Sequence, residues 1–272
     1  QTSFVLDGLS NEWRDNEKIA SGNCGDLYMK SDERYVYFMV RIADGFDYSF
    51  DTDTLLIPID TIRGQGNKKM NATGATFDQE ADFVIQINGK DNSRIMVDSY
   101  YDSYYFLYAD QYQMIEPVRD ITTKNSGRFN PMMLCTGYEM TIPTTNQVVE
   151  FESYETGKLT YGNGDPSSKD YMSLSDFIYN EKEGILEIRI PWQLLNVMDP
   201  SSKQIMSDFY TEQSITPTDF DGFTVGLGVI GEQDRTVSLN GTYAYEGWTT
   251  PTYHERLKPS YKILQKALEE LS

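Results

Sequence analysis

Carboxylates and aromatic rings are the side chains with which this 272-residue chain can do chemistry, because imidazole and thiol are nearly absent. Its one histidine, His254 in YHERLK, excludes HExxH and every other imidazole metal cluster. A Ser-His-Asp triad would have to use that residue without a GxSxG elbow, so hydrolysis of that kind is disfavoured. His254 reads instead as a surface residue at the start of a helix. GLGVIG at 226–231 matches GxGxxG only in letters, since it sits inside a predicted strand with no helix after it. Cys24 and Cys135 leave two readings open: one long-range disulfide in an oxidising compartment, or two thiols.

The acids gather in two stretches. One connector holds Asp44, Asp47, Asp51 and Asp53, and FDQEADF holds Asp78, Glu80 and Asp82. Hard oxygen ligands in the loops of a β domain suit calcium, although neither stretch has EF-hand spacing. Asp44, Asp78, Glu80 and Asp82 are therefore the candidate ligands of a structural calcium ion. The same Asp78–Asp82 group could be read as a glycosidase pair. No feature marks one carboxyl as a desolvated acid, so no catalytic residue is assigned and the chain is read as a non-enzyme. Most of the aromatics must be core. Phe50 in DYSFDTD and Trp248 in YEGWTTP differ, because both stand in polar, turn-like surroundings. Exposed rings of this kind stack on sugar faces while Asp and Asn bond the hydroxyls.

The elements that must position these groups are strands. Tyr35–Ile42 and Thr54–Ile59, on either side of the first acidic connector, are short runs rich in β-branched and aromatic residues. Ala81–Asn88 and Ser93–Asp98 form a hairpin across 89–92, and Ile185–Ile190 alternates cleanly before Pro191 opens the short helix PWQLLN. Phe4–Trp13 reads as a strand and a turn at Asp7-Gly8, Asp26–Lys30 as a short strand, and Thr61–Gly74 as a surface loop. Further strands are expected at Gly137–Ile142, Val148–Tyr154, Lys158–Tyr161, Asp221–Ile230 and Thr236–Tyr245. Tyr253–Ser272 is an amphipathic helix whose Leu257, Tyr261, Leu264, Leu268 and Leu271 should pack back on the domain. With no βαβ rhythm, the reading is all-β: one antiparallel, jelly-roll-like β-sandwich over 1–272 with a C-terminal helix.

Net charge is −19, which disfavours phosphate backbones and anionic membranes as partners. No stretch is long and apolar enough for a membrane span. The opening Gln1 suggests a trimmed leader or a larger parent protein.

Read in order, LDGLSNEW, YVYFMVRIAD, FDTDTLLIPID, FDQEADFVIQIN, GILEIRIPWQLL and GFTVGLGVI resemble family 9 carbohydrate-binding modules and the broader DOMON-like sandwiches. The resemblance implies a non-catalytic domain at the cell surface or outside the cell, carried by a larger secreted or membrane-anchored protein and binding a polysaccharide. Structural calcium is implied as well. It places the sugar between Phe50 and Trp248, with Asp51, Asp53 and Asn240 as polar partners. Two departures stand out. The family's sugar-contacting acid falls on Leu56, and an insertion over about 98–180 carries the tract DSYYDSYYFLYADQY. A rebuilt site would use Tyr100, Tyr101, Tyr104 and Tyr105 of that tract. The alternative is a structural or protein-interaction domain with a vestigial sugar site.

Overall fold

In a computed structural model the chain is described over residues 4–117, 123–249 and 258–270. The first strands are β1 (Lys18–Gly22), β2 (Gly25–Ser31), β3 (Tyr35–Ile42) and β4 (Thr54–Asp60). Next come β5 (Asn67–Met70), β6 (Ala75–Ala81), β7 (Phe83–Ile87), β8 (Arg94–Asp98) and β9 (Phe129–Pro131). They are followed by β10 (Met133–Gly137), β11 (Glu152–Glu155), β12 (Phe177–Asn180) and β13 (Ile185–Pro191). Last are β14 (Phe223–Val225), β15 (Gly228–Ile230), β16 (Thr236–Val237) and β17 (Gly241–Tyr243).

A five-stranded sheet, β1-β2-β3-β13-β12, faces a seven-stranded sheet, β17-β14-β4-β7-β8-β9, in which β15 also pairs with β4. Neighbours in both sheets are antiparallel, so the all-β sandwich expected from strand patterning is the fold. Alternation supplies its core: Val36, Phe38 and Val40 meet Leu186, Ile188 and Ile190 in one sheet, and Leu55, Ile57 and Ile59 meet Phe83 and Ile85 in the other. Trp192 of the IPW corner is fully buried, stacks on Phe223 and donates from Nε1 to the Asp32 carbonyl at 2.8 Å.

A third layer lies outside the sandwich. The sheet β16-β6-β5 covers the other face of the seven-stranded sheet, sealing Leu56, Val84 and Met96 beneath Met70, Phe77 and Val237. Two sequence expectations fail here. FDQEADF is not a loop but β6, with Phe77 and Ala81 turned inward and Asp78 turned to solvent. Thr61–Gly74 is not all loop, because it contains β5, whose exposed Lys68 and Lys69 hide the buried Asn67 and Met70 beside them. The insertion joins both sheets, contributing the edge strand β9 to one and β12 to the other. Between these, β10 and β11 form an arm lengthened by the pair Met140–Thr141 and Val148–Val149. Lys158–Tyr161 makes only isolated bridges, to Arg94 and Phe177.

Phe4–Trp13 is a pinned turn rather than a strand, with Gly8 in the left-handed region at φ +76°. The C-terminal helix, α1 (Pro259–Glu269), does not pack back: Tyr261, Leu264 and Leu268 are more than half exposed. Its periodicity specifies an apolar face but not what covers it. His254, Leu257 and Leu271 lie outside the described residues.

Cys24 and Cys135 are both free thiols. Cys24 sits in the main core, where burial pushes its thiol up to about 12, whereas Cys135 is half-exposed on the arm. Iodoacetamide on the native protein should therefore alkylate Cys135 and spare Cys24 until unfolding, as peptide mass mapping would read. Equal labelling of both would contradict this placement.

Candidate functional site

Phe50 and Trp248 lie at opposite ends of the sandwich. Phe50 precedes Thr54, the first residue of β4, and packs on Tyr179 at 5.1 Å and Tyr161 at 5.7 Å. Trp248 belongs to the other end, where its ring meets Tyr245 at 6.1 Å and its amide donates to the Ser201 carbonyl at 2.9 Å. Tyr245 in turn packs on Trp192, which lies just past the β13 residue paired with Tyr35, at the start of β3. An eight-residue strand such as β3 spans ~26 Å, so these two rings cannot clasp one sugar. That is a correction to the site implied by the resemblance. Leu56 reinforces it, since the face that would carry the sugar-contacting acid is sealed by the third layer.

The polar partners are also dispersed. Asp53 caps its own turn, accepting from the Ser49 amide at 2.8 Å, and Asp51 is exposed beside the turn glycine Gly89. Asn240 is engaged with the backbone of Ser21, accepting from its amide at 3.3 Å and donating to its carbonyl at 2.8 Å. Tyr101 is fully buried on Phe83 and Phe209, with its hydroxyl donating to the Met206 carbonyl, so it is core and not a ligand contact. Tyr104 is half-buried against Tyr105 and Tyr108. The Tyr-rich tract turned inward because its capping aspartates hold it there: Asp98 accepts from the Tyr100 amide, and Asp102 from the Tyr104 and Tyr105 amides.

The candidate calcium ligands do not converge. Asp44 is exposed in the β3–β4 connector. Asp78 accepts from Ser238 Oγ at 2.6 Å and the Leu239 amide at 2.9 Å; burial raises its carboxyl, but these bonds outweigh it and the net shift is downward. Glu80 faces Lys68 at 3.4 Å. Asp82 is fully buried, with Oδ2 taking the Thr61 amide, the Thr61 hydroxyl and the Ile62 amide, and Oδ1 taking Gln65 Nε2. Among the described residues no group of three or more His, Cys, Asp or Glu is arranged to hold a metal ion. The calcium implied by the resemblance thus has no fitting ligand set on the residues named for it. Of the Asp78–Asp82 acids, Asp82 is turned into the core, while Asp78 and Glu80 stay on the outer face of β6.

Asp82 instead belongs to a row of buried acids. Asp60, Asp82 and Asp98 stand at one end of β4, β7 and β8, with Asp82 donating its amide to the Ile59 carbonyl and accepting at its own carbonyl from the Asp98 amide. Among the described residues Asp60 Oδ1 and Asp98 Oδ2 have no hydrogen-bond partner. Burial, and next the Asp82 charge, push Asp60 up to about 7; burial raises Asp98 to about 7 as well. Asp60 is also on the floor of two shallow clefts, lined by Thr224, Thr242 and Arg63 among others.

An opening lined by tyrosines and hydrogen-bonding side chains lies elsewhere. A cleft of about 600 Å³ lies between the β7–β8 turn, which contributes Lys90 and Asp91, and the segment from Tyr154 to Tyr161. Tyr161 is half-buried and held from behind: Phe177 meets it edge-on at 5.3 Å, Phe50 supports it, and its hydroxyl donates to the Tyr179 carbonyl at 3.2 Å. Tyr154 is 52% exposed. Glu155 meets Arg94 at 2.8 Å, a charge contact rather than an aligned hydrogen bond. Phe50 packs on Tyr161 without lining the cleft, while Tyr154 and Tyr161 are the rings in its wall. Sequence reasoning missed both. The signal it applied to Phe50, an aromatic among turn residues, also fits Tyr161, which directly precedes Gly162-Asn163-Gly164.

No protein-family model matches this chain, and a comparison with curated proteins returns no match. The likeness to family 9 modules rests on its own motifs.

Proposed function

We propose that this domain binds carbohydrate without catalysis, at the Lys90–Tyr161 cleft, as part of a larger protein at or beyond the cell surface. The observation that carries the reading is an accessible tyrosine pair, one ring locked from behind, among hydrogen-bonding groups. A preorganised aromatic loses little entropy when a sugar stacks on it, and neighbouring Thr160, Asp91 and Lys158 suit the hydroxyls. Catalysis by a carboxyl pair is disfavoured there, because Glu155 is engaged with Arg94, leaving Asp91 without a second free acid.

The test is isothermal titration of a glycan panel with Tyr154→Ala and Tyr161→Ala. Each variant is expected to lose at least tenfold in affinity, about 1.4 kcal/mol. Unchanged affinity in both would remove the cleft from consideration. A second reading, a protein-interaction domain, is favoured by Leu134, Tyr138, Met140 and Val148, apolar residues exposed along the arm, and by the uncovered face of α1. A folded domain that binds no glycan would shift the weight there.

A further inference from the structure

We infer that the Lys90–Tyr161 cleft selects acidic glycans, whose carboxylate or sulfate groups meet Lys90 and Lys158; this rests on the carbohydrate reading above and specifies its ligand class. The chain carries 42 Asp and Glu against 23 Lys and Arg, so a surface depression taken at random would be lined by excess negative charge. This one is not. Among the described residues no ion pair involves Lys90 or Lys158. Glu155, one of the two acids in the lining, is already committed to Arg94. Among the described residues Asp91 makes no ion pair, and it stands in the lining against two ammonium groups that make none either.

The placement of the cations matters as much as their number. Lys90 Nζ stands 4.8 Å from the centroid of the Tyr161 ring, held by the ring's negative face where a stacking sugar would arrive. An incoming sugar displaces the ammonium from the ring and leaves it free to pair with an acidic substituent. Lys158, bridged through the backbone to Arg94 and exposed, lines the cleft from the Tyr154–Tyr161 segment, while Lys90 lines it from the β7–β8 turn. A sugar with an anionic group on either edge finds a donor there, and charge-assisted bonds are the stronger kind. A neutral glycan gains nothing from either lysine beyond ordinary hydroxyl bonds.

The experiment compares a polyuronate, the same polymer with its carboxyls methyl-esterified, a sulfated glycan and a neutral glucan, on the wild type and on the double variant Lys90→Gln, Lys158→Gln. The free acid or the sulfated glycan should bind at least tenfold more tightly than the neutral ligands, and whichever wins identifies the source of the charge. The double variant should lose that preference, its affinity for the acidic ligands falling at least tenfold further than its affinity for the neutral ones. Both lysines are solvent-facing, so the substitution spares the core. Equal, Tyr161-dependent binding of esterified and free polymer would overturn the charge selectivity but leave the carbohydrate site standing. A preference that survives the double variant would overturn the assignment to these lysines. Failure of every glycan to bind would overturn the carbohydrate reading and this inference together.

Discussion

Glu187→Ala is expected to lower stability by about 3–5 kcal/mol, far more than an ordinary surface change. Glu187 is fully buried in β13, and its carboxyl is the anchor of the N-terminal turn. Trp13 Nε1 donates to Oε1 at 2.8 Å, while the amides of Gly8 and Asp7 donate to Oε2 at 2.8 and 3.1 Å. Alanine would leave the indole and the Gly8 amide buried without acceptors and open a void beside Trp13. Glutamine at this position would keep the volume and one acceptor oxygen, so Glu187→Gln should lose about half as much. Urea denaturation followed by tryptophan fluorescence reads both variants. A loss below about 1 kcal/mol for the alanine variant would mean that the turn is not held by this carboxyl.

The row of buried acids leads to the second large effect: the domain should be less stable at pH 8 than at pH 5. Burial raises Asp60, Asp98 and Glu187 each to about 7 and Asp102 to about 6, above what the unfolded chain has. A raised folded value favours the protonated form in the folded state. That contribution is therefore present in full below pH ~4 and lost as pH rises through 6 to 7. Within the Asp60–Asp82 pair the donors around Asp82 favour its ionised form, which leaves the shared proton on Asp60. Asp60→Asn copies that neutral state at every pH. It should be nearly silent at pH 5, stabilise by about 1–3 kcal/mol at pH 8, and flatten the pH profile. Denaturation curves at the two pH values decide. A wild type that gains stability from pH 5 to 8 would show that these acids are compensated in a way the contacts around them do not reveal.

The two sheets were legible because their signal is local. Val36, Phe38 and Val40, or Leu186, Ile188 and Ile190, alternate along a single strand, and a period of two needs no knowledge of the partner. The IPW corner was legible for the same reason, since Pro191 and Trp192 specify a turn into a short helix by themselves. FDQEADF was misread because its acids look like a loop, whereas Asp78 faces solvent on a strand whose Phe77 and Ala81 cover the outer face of the big sheet. The Tyr-rich tract has the composition of a binding surface. Its Asp98 and Asp102 caps and the waiting Phe209 turned Tyr101 and Phe106 inward.

The sequence by itself determined an all-β sandwich, a chain too poor in histidine for imidazole chemistry, and a surface of strong negative charge. Only the tertiary structure decided that Phe50 and Trp248 are a strand length apart, that Leu56 lies under a third layer, and that Lys90, Tyr154, Lys158 and Tyr161 share one cleft. The physical reason is range. Strand patterning and charge are properties of neighbouring residues, but this cleft joins the β7–β8 turn to a segment some sixty residues later. Which residues meet across that distance is set by how the insertion returns along β8, where Leu159 donates its amide to the Ser93 carbonyl at 2.9 Å.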